Sequence, residues 1–172
     1  MKKLALSLSF ALAAMLSGTV AGTSAAHAQP SMVKQFNDWG VYSYDRSGKT
    51  VCYILTVPKT MQPAAVDHGR NYFVIGKAPG SRTNFEPQAI MGYELKPGSR
   101  AKVQIGDKEF TMFTKGTSAW VLEETKEPDL IDSMRGGSDM TVDAVSRRGT
   151  ATSYTYSLNG VSAALKRMAQ CN

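Results

Sequence analysis

Acid–base, metal and thiol chemistry have few footholds in this chain. Of its two histidines, His27 and His68, only the second lies beyond the N-terminal apolar stretch, in Asp67-His68-Gly69-Arg70. An imidazole titrates near neutral pH and can serve a serine as general base, so a small periplasmic hydrolase using His68 is the enzymatic alternative for this sequence. A triad is defined by geometry rather than by the residue types it needs, and this polar loop reads as carrying a solvated histidine. Two carboxylate pairs, Glu123-Glu124 and Asp129 with Asp132, are of the type a glycosidase sets across a bond. The first reads as a strand end and the second as the exposed side of a short helix. Zinc sites use three or four clustered ligands, and one histidine with two cysteines supplies no such cluster. No glycine-rich phosphate loop occurs. The sequence assigns no catalytic residue, no metal and no cofactor.

The two cysteines, Cys52 and Cys171, suit a structural role instead. Lys2 and Lys3 precede an apolar run from Leu4 to Leu16, and Ala26-His27-Ala28 has the small-x-small form of a signal-peptidase site. The run falls short of the ~20 residues that span a bilayer, so residues 1–28 read as a cleaved signal peptide and no transmembrane insertion is expected. Residues 29–172 then form a single domain that is periplasmic, or else secreted or held at the envelope. Disulfides persist in those compartments, which makes a Cys52–Cys171 bridge the simplest expectation. Two buried free thiols are the alternative, because a disulfide scaffold normally carries more cysteines.

The formal charge of +6 falls by two when Lys2 and Lys3 leave. What remains is scattered, with no basic run longer than Arg147-Arg148 or Lys166-Arg167. Nucleic-acid proteins gather such charge on one face, so a polynucleotide partner is not expected. A modest positive field still attracts polyanions, and the expected partner is an envelope or host-surface protein or polyanion. Arg147-Arg148-Gly149-Thr150, a basic turn between two strands, is the candidate surface contact, against the plainer reading of a solvated turn.

Short runs rich in Val, Ile, Tyr, Phe and Thr, divided by Gly, Pro, Asp and Ser, predict the strands that must position these groups. They fall near 39–44, 51–57, 72–77, 88–93, 102–105, 109–114, 119–122, 140–145 and 152–158. Residues 29–35 read as a polar lead-in. Gly106-Asp107 supplies a two-residue hairpin turn. Thr152, Tyr154, Tyr156 and Leu158 share one face of their strand, by its two-residue period. A short helix begins at Pro128 and closes at Arg135 with Gly136-Gly137. A second follows Asn159 as its cap and lines up Val161, Ala164, Leu165 and Met168. Trp39 and Trp120 are assigned to the core. The fold class is mostly β: β-sandwich-like antiparallel sheets with a short helix and a C-terminal helix packed on them.

Several fragments, in order, resemble the invasion-associated locus B family of exported proteins. They are Phe36-Asn37-Asp38-Trp39, Cys52-Tyr53-Ile54, Gly92-Tyr93 ahead of Lys96-Pro97-Gly98, Ala119-Trp120, Met134-Arg135-Gly136-Gly137, Ser146-Arg147-Arg148-Gly149-Thr150 and Ser157-Leu158-Asn159-Gly160-Val161. None is specific alone; their order and the placing of Cys171 carry the likeness over essentially the whole chain after residue 28. The resemblance implies a β-sandwich-like envelope protein linked to host-cell invasion or colonisation, with no catalytic residues to carry over.

Overall fold

The structure, a computed structural model, describes residues 29–77 and 85–171. The expected signal peptide, residues 1–28, lies outside the described residues.

Eleven strands form the frame: β1 (Ser31–Phe36), β2 (Trp39–Arg46), β3 (Lys49–Thr56), β4 (Thr60–Gln62), β5 (Tyr72–Lys77), β6 (Phe85–Ile90), β7 (Arg100–Ile105), β8 (Lys108–Lys115), β9 (Ser118–Val121), β10 (Asp139–Val145) and β11 (Ala151–Ser157). A 3-10 turn, Glu124–Lys126, leads into α1 (Glu127–Gly136), and α2 (Val161–Ala169) closes the chain. The strands pair antiparallel in one continuous order, β1-β2-β3-β5-β6-β9-β8-β7-β10-β11-β4. The layering is sandwich-like because this sheet coils back on itself. Only residues 57–59 separate β3, third in the order, from β4 at the far end. Four chain steps span at most about 14 Å, so the two ends of the sheet must meet. They do so through Trp39 Nε1, which donates to Ser157 O at 3.0 Å, and through Phe73 and Tyr156, whose rings lie 6.0 Å apart.

One hydrophobic cluster fills the space enclosed. Trp39, Val41, Ile54, Phe73, Ile75, Val103, Met112, Val142, Tyr154 and Tyr156 are all fully buried within it. Alternation explains the selection, since each belongs to the inward-facing half of its strand. On α2 the buried residues are Val161, Ala164, Leu165 and Met168, the stripe that the sequence lines up. No helix among the described residues is long and apolar enough to cross a membrane.

The polar lead-in is a strand. Ser31–Phe36 pairs with β2 from Ser31↔Ser43 to Phe36↔Trp39, although nearly all of it is exposed. An edge strand with no buried face lacks the apolar alternation by which strands are read. The strand expected over 88–93 runs instead from Phe85 to Ile90, through Pro87. Pairing with β9 begins only at Gln88, so the missing N–H of Pro87 empties no rung on that side.

Asn159 does not cap α2. Its side chain accepts from Asn37 Nδ2 at 2.9 Å and its carbonyl from Asp38 N at 3.2 Å, tying the helix entry to the β1–β2 turn. Gly160 occupies the cap position with φ 98°, and a Cβ there would lie 2.0 Å from Phe36 O. Left-handed strain and the clash each cost on the order of 1–3 kcal/mol, so Gly160→Ala is expected to lose about 3 kcal/mol in denaturant unfolding. A midpoint unchanged from the parent would show that this junction tolerates a side chain.

Candidate functional site

His68 sits in neither a solvated loop nor a triad. The residue is 6 % exposed, and both ring nitrogens are engaged. Nε2 lies 3.0 Å from Pro63 O, and Nδ1 lies 2.9 Å from Tyr154 Oη. Because a carbonyl can only accept, Nε2 donates to Pro63 O; the Tyr154 hydroxyl stands as donor to Tyr93 and, turned to the ring, can donate to Nδ1 instead. The chain of hydroxyls continues outward: Tyr154 Oη stands 3.1 Å from Tyr93 Oη, and Tyr93 Oη 2.6 Å from Thr152 Oγ1. Burial holds the Tyr154 hydroxyl far above the usual phenol range, with the Tyr93 hydrogen bond adding to it, so Tyr154 stays a neutral hydroxyl. The expectation of a solvated loop is corrected here. A polar loop can bury its imidazole when every polar atom on the ring finds a partner.

Close backbone approach makes this burial feasible. Asn71 Nδ2 donates to His68 O at 2.9 Å, while Asn71 Oδ1 accepts from Gly92 N at 3.1 Å, which joins the His68 loop to the chain just before Tyr93. A Cβ on Gly92 would lie 2.4 Å from Arg70 N and 2.5 Å from His68 O, so only glycine lets these two segments touch.

The basic turn reaches the same place. Ser146 N bonds to Thr150 O at 2.9 Å, and Thr150 N to Ser146 Oγ at 3.1 Å, closing a tight link between β10 and β11. Arg147 and Arg148 project from its exposed tip. Arg147 N donates to Glu94 O at 2.7 Å and its guanidinium pairs with the Glu94 carboxylate. Arg148 has no carboxylate partner among the described residues. Together with Asp67, His68, Tyr93 and Thr152, this turn lines a cleft of about 530 Å³. His68 and Arg147-Arg148, unrelated in sequence, thus share one site. Tyr93, Thr152 and Tyr154 complete it, and no spacing in the sequence signals that they meet.

The remaining candidates lie elsewhere. Asp129 and Asp132 are exposed on α1 and pair with Lys126 at 3.4 Å and Arg135 at 2.7 Å, one turn away each. Glu123 and Glu124 belong to the turn before that helix. The Glu127 carboxyl is raised by burial, and by the neighbouring charges of Glu86 and Glu124. Trp120 is not in the core. It is half-buried on the outward face of β9 and stacks on Phe113 at 5.5 Å, because Ala119 and Val121 take the inward positions. Cys52 and Cys171 are bonded, with Cα atoms 6.2 Å apart, and this joins the end of α2 to β3.

Fold and site define a small antiparallel β protein closed by a disulfide, with a polar cleft where a two-arginine turn meets a buried imidazole. Residues 39–169 match the family model described as invasion associated locus B protein, and the chain belongs to that family. No curated protein sequence matches it. Among solved structures it is similar to the crystal structure of invasion associated protein B from Bartonella henselae, with a TM-score of 0.60 at 13% identity over 80% of this chain and 95% of that one. At that identity the likeness is one of fold.

Proposed function

We propose that this chain is an exported, non-catalytic interaction protein that takes part in host-cell invasion or colonisation, and that the Arg147–Arg148 turn is its contact surface. The observation that carries the reading is the family match over residues 39–169. The chemistry of the cleft supports it. A general base needs a nucleophile within hydrogen-bond reach, and the partners of the His68 ring are a carbonyl and a phenol, with no serine. That favours the non-catalytic reading over the hydrolase alternative. Export follows from residues 1–28 and agrees with a bonded cysteine pair. A periplasmic or surface-held product meets proteins and polyanions of the envelope or of the host surface, and the exposed guanidiniums offer charge-assisted contacts to either.

Charge reversal at the turn tests this assignment. Arg147→Glu with Arg148→Glu is expected to lower attachment of producing bacteria to host cells several-fold while leaving the unfolding midpoint of the purified domain within experimental scatter. Full attachment by the double variant would remove the turn from the contact surface.

A further inference from the structure

The cleft beneath the basic turn is more than a surface patch, because its floor is a buried chain of four hydrogen-bonding side chains with two complete orders. Tyr154 stands as donor to Tyr93 and Thr152 as donor to Ala144 O; in the neutral order these hydrogens turn, so that Tyr154 donates to His68 Nδ1, Tyr93 to Tyr154, Thr152 to Tyr93, and His68 Nε2–H to Pro63 O. If a proton is added to Nδ1, the imidazolium donates to both Tyr154 and Pro63 O. Tyr154 must then donate to Tyr93, and Tyr93 to Thr152. Thr152 turns its hydrogen to Ala144 O, 3.2 Å away. Every member keeps its bonds, so the buried chain can take up a proton without leaving an orphaned polar group.

That proton changes the charge of the cleft. The charged and titratable groups around His68 are Tyr154 of β11, against its ring, and, in the lining of the cleft, Asp67 of its own loop, Tyr93 and Glu94 of the segment after β6, and Arg147 and Arg148 of the β10–β11 turn. β4 brings none. Glu94 neutralises Arg147, and the Asp67 carboxylate, which accepts Gly69 N at 2.9 Å, balances the charge of Arg148 in the sum over the lining. With a neutral imidazole the lining of the cleft carries no net charge; with an imidazolium it carries one positive charge set behind hydroxyls that can rotate.

We infer that this cleft binds an anionic oxygen group, a carboxylate or sulfate such as acidic glycans carry, between Arg148 and the hydroxyl of Thr152, which in the imidazolium order can turn its hydrogen from Ala144 O to the anion, and that protonation of His68 strengthens the binding. The inference rests on the proposed contact role of the turn and names its ligand chemistry and its control by pH. A cleft of about 530 Å³ has room for one sugar-sized group. A unit charge added at the floor is worth on the order of tenfold in affinity for a monoanion at moderate salt.

Linkage makes the test reciprocal: an anion that binds tenfold tighter to the imidazolium must raise the His68 titration midpoint by about one unit. Residues 29–172 hold only this imidazole, so its nitrogen resonances can be followed without assignment conflict. The probes are a uronate oligosaccharide, a sulfated oligosaccharide, and acetate and sulfate alone, titrated calorimetrically at pH 5.5 and 7.5 at fixed ionic strength. An oligosaccharide is expected to bind about tenfold tighter at the lower pH and to move the imidazole titration upward. Acetate or sulfate binding equally well would identify a free small anion as the ligand, with the site unchanged. His68→Gln is expected to abolish the pH dependence. Should that variant not fold, Tyr93→Phe and Thr152→Val interrupt the chain from the cleft side and are expected to weaken binding. Binding by none of the probes, or an imidazole titration unmoved by saturating probe, overturns the inference. Host-cell attachment that still depends on Arg147 and Arg148 would, in that event, leave the contact surface standing.

Discussion

Removing either cysteine is expected to lower the unfolding midpoint by roughly 10 °C and to loosen the C-terminal helix first. The bridge closes a loop with a sequence separation of 119 residues. The chain-entropy model gives such a loop about 5 kcal/mol, an upper figure that native strain reduces. A domain of this size is stable by only ~5 to 15 kcal/mol, and each kcal/mol moves its midpoint by a few degrees. The local consequence follows from where the bond sits. Cys171 comes directly after α2, whose Val161, Leu165 and Met168 are buried at 1 %, 1 % and 0 % exposure. A helix of nine residues is too short to hold its own structure in water, so its stability is the stability of that packing. With the tether cut, α2 frays, and trypsin gains access to Lys166 and Arg167 while the sheet is still folded. Cys52→Ala and Cys171→Ala should give the same loss, since each removes the same bond. Two alkylated thiols in the unreduced, denatured parent would show instead that the bridge is absent and that the apolar stripe alone holds the helix.

What the sequence made legible is what depends on neighbours along the chain. The hairpin at Gly106-Asp107 joins β7 to β8 with Ile105 paired to Lys108, and the face that Thr152, Tyr154, Tyr156 and Leu158 share is the buried one. The Arg147-Arg148 turn is a turn between two strands for the same reason. The site, by contrast, is assembled by contacts between distant segments. Tyr93 meets Thr152 across 59 residues, and His68 meets Tyr154 across 86. Neither pair has a local signature, so the imidazole read as a surface group. The bond that joins Cys52 to Cys171 spans still more chain, yet it was legible because two cysteines behind an expected signal peptide have few alternatives.

Trp39→Ala is expected to cost about 3–5 kcal/mol, and Trp120→Ala much less, although both tryptophans lie in strands beside apolar residues. Trp39 is fully buried, meets Phe73 edge to face at 6.5 Å, and donates its indole N–H to Ser157 O at 3.0 Å. Truncation opens a cavity where the two ends of the coiled sheet meet, and large-to-small changes of this kind fall in the range given. It also removes the donor that Ser157 O accepts, which adds to the cost. Trp39→Phe separates the two effects: it keeps most of the volume and loses the hydrogen bond, for an expected loss of about 1–2 kcal/mol. Trp120 presents the opposite case. Period-two alternation puts it outward whenever Ala119 and Val121, at 0 % and 3 % exposure, point inward. Its main contact is the stacked Phe113 ring at 5.5 Å, and an aromatic pair of this kind is worth ~0.5–1.5 kcal/mol beyond the area it covers. Equilibrium denaturation of the three variants, read by circular dichroism so that no tryptophan is needed as reporter, gives the comparison. Equal losses for Trp39→Ala and Trp120→Ala would mean that the outward face of β9 is covered in solution, and that Trp120 is packed against something this chain does not itself provide.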